Sequence, residues 1–211
     1  MGVSPELYVG CTGITITTIG SAVWWRIRSK ARSENDLARL EKSLPSSRDG
    51  LLLSALVVEV MNGKVSVSPK EPWLGDLWLT LDEIVNMHDL KKVAAFQSTY
   101  MVASTDHRIA EESLMVAALT ALDIRDAIQL FMATHDIHGS AKFGIHADII
   151  PTVGLGSTVA LSQLWNLAMN LAEGAEPNTI KLSHDAVQWL GPEFDIEHLG
   201  EHPVLHTRRT A

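Results

Sequence analysis

Residues 51–68, LLLSALVVEVMNGKVSVS, decide the fold. The first ten are dominated by leucine and valine, which suit the half-buried, pleated surface of a strand. Asn62-Gly63 follows, a pair that tolerates the positive φ of a tight hairpin turn, and VSVS then alternates with period two. This is the best strand pair in the chain, and it opens a globular region expected to run over 51–191.

Downstream, Lys70 to Leu79 holds Pro72, Trp73, Gly75 and Trp78 and reads as an irregular connection. Thr80-Leu-Asp-Glu83 reads as a capping box that opens a helix through about Leu90. VAAFQSTYMVA, 93–103, is strand-like. Residues 107–134 are rich in Ala, Leu, Met and Glu and lack Pro and Gly, the composition of a helix, with Asp123 as a break between two halves. A strand is expected over 143–153, an edge strand because of Pro151. A helix over 158–172, closed by Gly174, comes next. Ser183 reads as the cap of a last short helix through Leu190. Residues 192–211 read as a polar tail. The order lacks the regular βα alternation of a doubly wound sheet. The expected class is therefore α+β, a helix-rich domain with a small antiparallel sheet.

Upstream, Tyr8 to Trp25 is an uncharged run of about 27 Å if helical, close to the hydrocarbon thickness of a bilayer. Aromatic residues stand at its ends, and Arg26, Arg28, Lys30 and Arg32 follow, as on the cytoplasmic side of a membrane. Residues 1–32 are thus expected to be a transmembrane anchor with a basic flank, with 33–50 a short helix and linker. ITITT and AVWWRIRS also suit strands, in which case the protein is soluble and cytoplasmic.

The chain has 211 residues and a net charge of −8. Residues 1–105 hold 11 basic and 11 acidic side chains and residues 106–211 hold 6 and 14. An acidic surface repels phosphate backbones, which argues against nucleic acid as a partner. Cys11 is the single cysteine, so no intramolecular disulfide forms.

The richest chemical constellation is His135, Asp136 and His138 with His146 and Asp148, since imidazole and carboxylate are common ligands of zinc, iron and manganese. Its spacing matches neither HExxH nor a zinc finger. Gly154 and Gly156 precede a helix and could admit a phosphate. His198, His202 and His206 recur every four residues, but Gly200 and Pro203 interrupt any helix that would align them. Trp73, Trp78, Trp165 and Trp189 are candidates for partner contacts if exposed. No motif identifies a family.

The leading functional expectation is a membrane-tethered accessory or assembly protein, acting non-catalytically through protein–protein contacts or self-association, without a cofactor. One alternative is a metal-dependent hydrolase with one divalent metal, such as zinc, on His135, Asp136, His138, His146 and Asp148. Another is a soluble structural subunit of a homo-oligomer.

Overall fold

The structure, a computed structural model, describes residues 51–104, 110–150 and 155–209. Strand β1, Leu51–Asn62, turns through Gly63 at φ +63° into the short β2, Val65–Ser66. The expected hairpin is present, and its positive φ falls on glycine, where no Cβ is strained. The next elements are α1 (Leu74–Met87), β3 (Lys91–Phe96), β4 (Thr99–Ala103) and α2 (Ala110–Thr134). They are followed by β5 (Gly139–Ile150), α3 (Leu155–Glu173), β6 (Ile180–Leu182), α4 (His184–Trp189), β7 (Phe194–Leu199) and β8 (His202–Arg208).

The strands form one eight-stranded sheet in the order β3-β4-β1-β5-β6-β8-β7, with β2 paired to β1. Strands β1, β3, β4 and β5, with α1 and α2 as crossovers, make a split β-α-β unit of the ferredoxin-like kind. The β5–β6 pair is parallel and the other pairs are antiparallel, so the sheet is mixed. This corrects the small antiparallel sheet expected from sequence. Much of the difference lies at 192–211, where a polar tail was expected: β7 and β8 extend the sheet there, with Phe194, Val204 and Leu205 buried.

β1 is central and buried on both faces, which explains why it reads as a continuous apolar run. Leu56, Val58 and Val60 face a core shared with α1, α2 and α4. Leu53, Ala55 and Val57 face a second core, closed by Leu161, Leu164, Trp165 and Ala168 of α3. Gly144 on β5 sets the closeness of that helix: a Cβ there would lie 2.0 Å from the Ala168 carbonyl oxygen and 2.6 Å from the Ala172 nitrogen.

Helix α1 starts earlier than its capping pattern suggested. Leu74, Leu77, Leu81, Ile84 and Val85 are buried at helical spacing, and Thr80 donates its hydroxyl to the Asp76 carbonyl inside the helix. Burial of the apolar stripe outweighs the local cap. Asp123 does not break α2: it stands exposed within the continuous helix, its carboxylate 2.6 Å from His88 Nε2. Ser183 caps α4 as expected, accepting from the Ala186 N–H.

Beneath α1, Tyr100 is fully buried and donates its hydroxyl to Asp82 Oδ1 at 2.5 Å, while Lys92 Nζ donates to Asp82 Oδ2 at 2.8 Å. Burial first, and the Asp82 carboxylate second, hold the phenol far above its ordinary pKa. Asp82→Ala leaves that hydroxyl without its acceptor. It is expected to cost about 1–3 kcal/mol in urea unfolding, more than a surface substitution would.

No helix among the described residues is long and apolar enough to cross a membrane. The expected spanning run, 8–25, and the linker, 33–50, lie outside the described residues.

Candidate functional site

The two faces of the sheet differ in what they leave open. Helices α1, α2 and α4 pack against one core, while α3 packs against the other. Past the C-terminal end of α3, a row of half-buried side chains crosses the sheet: Phe96 of β3, Thr99 of β4, Glu59 of β1 and Lys142 of β5, each opposite the next. Ser66 donates its hydroxyl to Glu59 Oε1 at 2.6 Å. Lys142 Nζ donates to the Glu173 carbonyl at 3.1 Å, and Lys181 Nζ donates to the Gly174 carbonyl. Both lysines thus meet the negative end of the α3 dipole.

The outer face of α3 is uncharged from Leu155 to Ala172. Gln163, Asn166 and Asn170 are exposed on it, with Val159 and Leu167 beside them. Each amide offers both a carbonyl acceptor and an NH2 donor, the chemistry that reads a heterocyclic base or a sugar hydroxyl. These amides point away from their own sheet, so a ligand held by them would lie outside this domain's core. Sequence reasoning missed them because amides neither titrate nor form a motif.

The residues singled out from sequence do not converge. His135 sits just past α2, its Nδ1 at 2.9 Å from the Phe131 carbonyl and its ring stacked on Phe131. Asp136 (φ +55°) and His138 are exposed in the turn that follows. His146 lies inside β5, about 23 Å along the strand from its start at Gly139. Asp148 is exposed near the far end, with Oδ1 accepting from the Ile149 N–H. An extended strand thus separates what the sequence places within fourteen positions, and no group of three or more His, Cys, Asp or Glu among the described residues is poised to hold a metal. Gly154 lies outside the described residues. His206 pairs with Glu197 across the β7–β8 hairpin at 2.9 Å. Trp165 is buried, and Trp73, Trp78 and Trp189 pack partly buried against the core. They are core anchors rather than an exposed docking patch.

His146 is buried, and its Nδ1 lies 2.8 Å from Ser183 Oγ, while Nε2 is without a partner among the described residues. Burial lowers its pKa below the ordinary 6.5, against the opposing pull of Asp148 and Asp185. The unfolded chain therefore takes up a proton that the folded chain resists. Stability is full above the ordinary value and falls as pH drops from there toward the lowered folded pKa. Urea unfolding from pH 7.5 to 5 should show this decline, and His146→Gln should flatten it.

A family model for the adenylate and guanylate cyclase catalytic domain matches residues 69–209. Retinal guanylyl cyclase 2 of Bos taurus is 28% identical over 134 residues, covering 59% of this chain and 12% of that protein. The chain thus spans about an eighth of the length of that curated relative. Among solved structures, the guanylyl cyclase domain of the RhoGC fusion protein from the aquatic fungus Blastocladiella emersonii, a monomeric double mutant, is similar at TM-score 0.61. That pair is 15% identical over 79% of this chain and 100% of the other. The guanylate cyclase domain of RhGC from Catenaria anguillulae, in complex with GTP, gives TM-score 0.58 and 17% identity over 77% and 100%. The adenylyl cyclase CyaB of P. aeruginosa gives TM-score 0.56 and 12% identity over 73% and 91%. At these identities the structures speak for the fold. The Blastocladiella domain has also been solved as a non-canonical dimer, so the fold is compatible with self-association.

These findings overturn the expectation of a non-catalytic accessory or assembly protein, which rested in part on the lack of a recognisable active site. They equally displace the hydrolase and the structural-subunit alternatives. A match to a catalytic-domain model over residues 69–209, most of the chain, leaves one assignment: the chain belongs to the family of adenylate and guanylate cyclase catalytic domains.

Proposed function

We propose that this domain binds a purine nucleoside triphosphate and forms one half of a nucleotide cyclase. In such a reaction the ribose 3′-oxygen attacks the α-phosphorus, the bond to pyrophosphate breaks, and the hydroxyl proton leaves to a base or to water. The family match over 69–209 carries this reading. Relatives of the same fold solved with GTP and with ATPαS support the choice of ligand class.

The chain's own part is recognition. Gln163, Asn166 and Asn170 hydrogen-bond the base and ribose from the outer face of α3, and the uncharged surface around them adds no repulsion to the phosphates. Because that face turns away from its own sheet, the nucleotide lies between this domain and a second cyclase-type domain, and pairing of domains completes the site.

The test is a titration of the full chain with GTP and ATP carrying a fluorescent N-methylanthraniloyl group on the ribose. Saturable binding, displaced by unlabelled purine triphosphate and not by CTP, is expected. Failure to bind either purine nucleotide would remove the proposal.

A further inference from the structure

Cyclisation of a triphosphate places charge on the transferred phosphoryl group and on the departing pyrophosphate. Phosphoryl-transfer enzymes meet such charge with divalent cations on carboxylates and with a cationic side chain. The described residues of this domain do not fit that donor set. On the α3 side of the sheet the carboxylates of β1 and β5 are Glu59 and Asp148, while Asp195 and Glu197 of the edge strand β7 are paired with Arg209 and His206. Glu59 stands opposite Lys142, and Asp148 stands opposite Leu53, six positions away on β1. That is about 20 Å along an extended strand. The oxygens that share a magnesium ion lie about 2 Å from it, so these two carboxylates cannot hold one cation together.

Strands β3, KKVAAF, and β4, TYMVA, carry no acid. Nor do any three ligating side chains among the described residues come together elsewhere. No Lys or Arg stands on α3, and Lys142 and Lys181 are turned to carbonyls at its far end.

We infer that the cation-binding carboxylates and the phosphate-facing cation come from a partner domain of different sequence, so that two copies of this chain do not make a working site. The inference rests on the nucleotide-binding reading above, and it names the partner that reading requires. An unlike domain that presents carboxylates with bound cations, and an Arg or Lys, removes both deficits. The uncharged face of α3 admits it without leaving a buried ion unpaired.

The experiment follows free Mn2+ by electron paramagnetic resonance as the full chain is added, first alone and then with 2′,3′-dideoxy-GTP. Cyclic nucleotide formation from GTP and ATP is measured over a range of chain concentrations. The chain alone is expected to leave the Mn2+ signal unchanged. With nucleotide the signal should fall only as far as nucleotide alone lowers it, and no cyclic product should form at any concentration. Stoichiometric loss of the Mn2+ signal with the chain alone would overturn the inference, as would product whose rate rises with the square of chain concentration. A failure of the fluorescent nucleotide to bind would strike the nucleotide reading instead, and the nucleotide-free Mn2+ titration would still decide this one.

Discussion

Gly144→Val is expected to abolish the folded domain or to lower its stability by about 3 kcal/mol or more in urea unfolding. Gly144 lies in the middle of β5, where α3 crosses the sheet. A side chain there meets backbone atoms, the Ala168 carbonyl oxygen and the Ala172 nitrogen, rather than flexible side chains that could swing aside. To admit even a methyl group, α3 must lift from β1 and β5. Leu161, Leu164, Trp165 and Ala168 would then lose contact with Leu53, Ala55 and Val57. Because α3 also carries the amides assigned to the nucleotide, any folded remainder should bind nucleotide poorly. Gly75→Ala is the comparison: a Cβ there meets nothing within 4 Å, so that variant should fold normally.

The double variant Asn166→Ala/Asn170→Ala should leave stability nearly unchanged, since both side chains are exposed, and should weaken nucleotide binding. Each amide that loses a hydrogen bond to the base or ribose contributes about 0.5–1.5 kcal/mol, so the pair should cost about five- to 150-fold in affinity. Gln129→Ala on α2, also exposed, is the control, because α2 packs on the opposite face of the sheet. Unchanged affinity in the double variant would place the nucleotide elsewhere on the domain.

The parts of the fold that were legible in the sequence are those set by local chemistry. Leu51–Asn62 and Gly63 announce their hairpin through branched residues and one permissive φ, and Ser183 announces α4 through a single side-chain bond. The Ala- and Leu-rich α2 declares itself by length. The extent of the sheet was not legible, because FDIEHL and HPVLHTR are short, charged and interrupted, and become strands only by pairing with each other and with β6. Long-range pairing of that kind leaves little trace in local composition.

The candidate site was less legible still. Histidines and aspartates between 135 and 148 drew attention because they titrate and coordinate. β5 then spreads them along an extended strand, with His146 turned inward against Ser183 and His135 held by its own helix. The side chains proposed to hold the nucleotide are plain amides on an uncharged helix, and nothing in their spacing distinguishes them from a solvated surface. Only the covered and uncovered sides of α3 make them visible.

The most direct test of the account is photolabelling of the full chain with 8-azido-GTP, followed by peptide mapping. The account predicts purine-protectable label within 155–173, the helix bearing Gln163, Asn166 and Asn170. Protectable label confined to α2 or to the β7–β8 hairpin, with 155–173 unmodified, would contradict it.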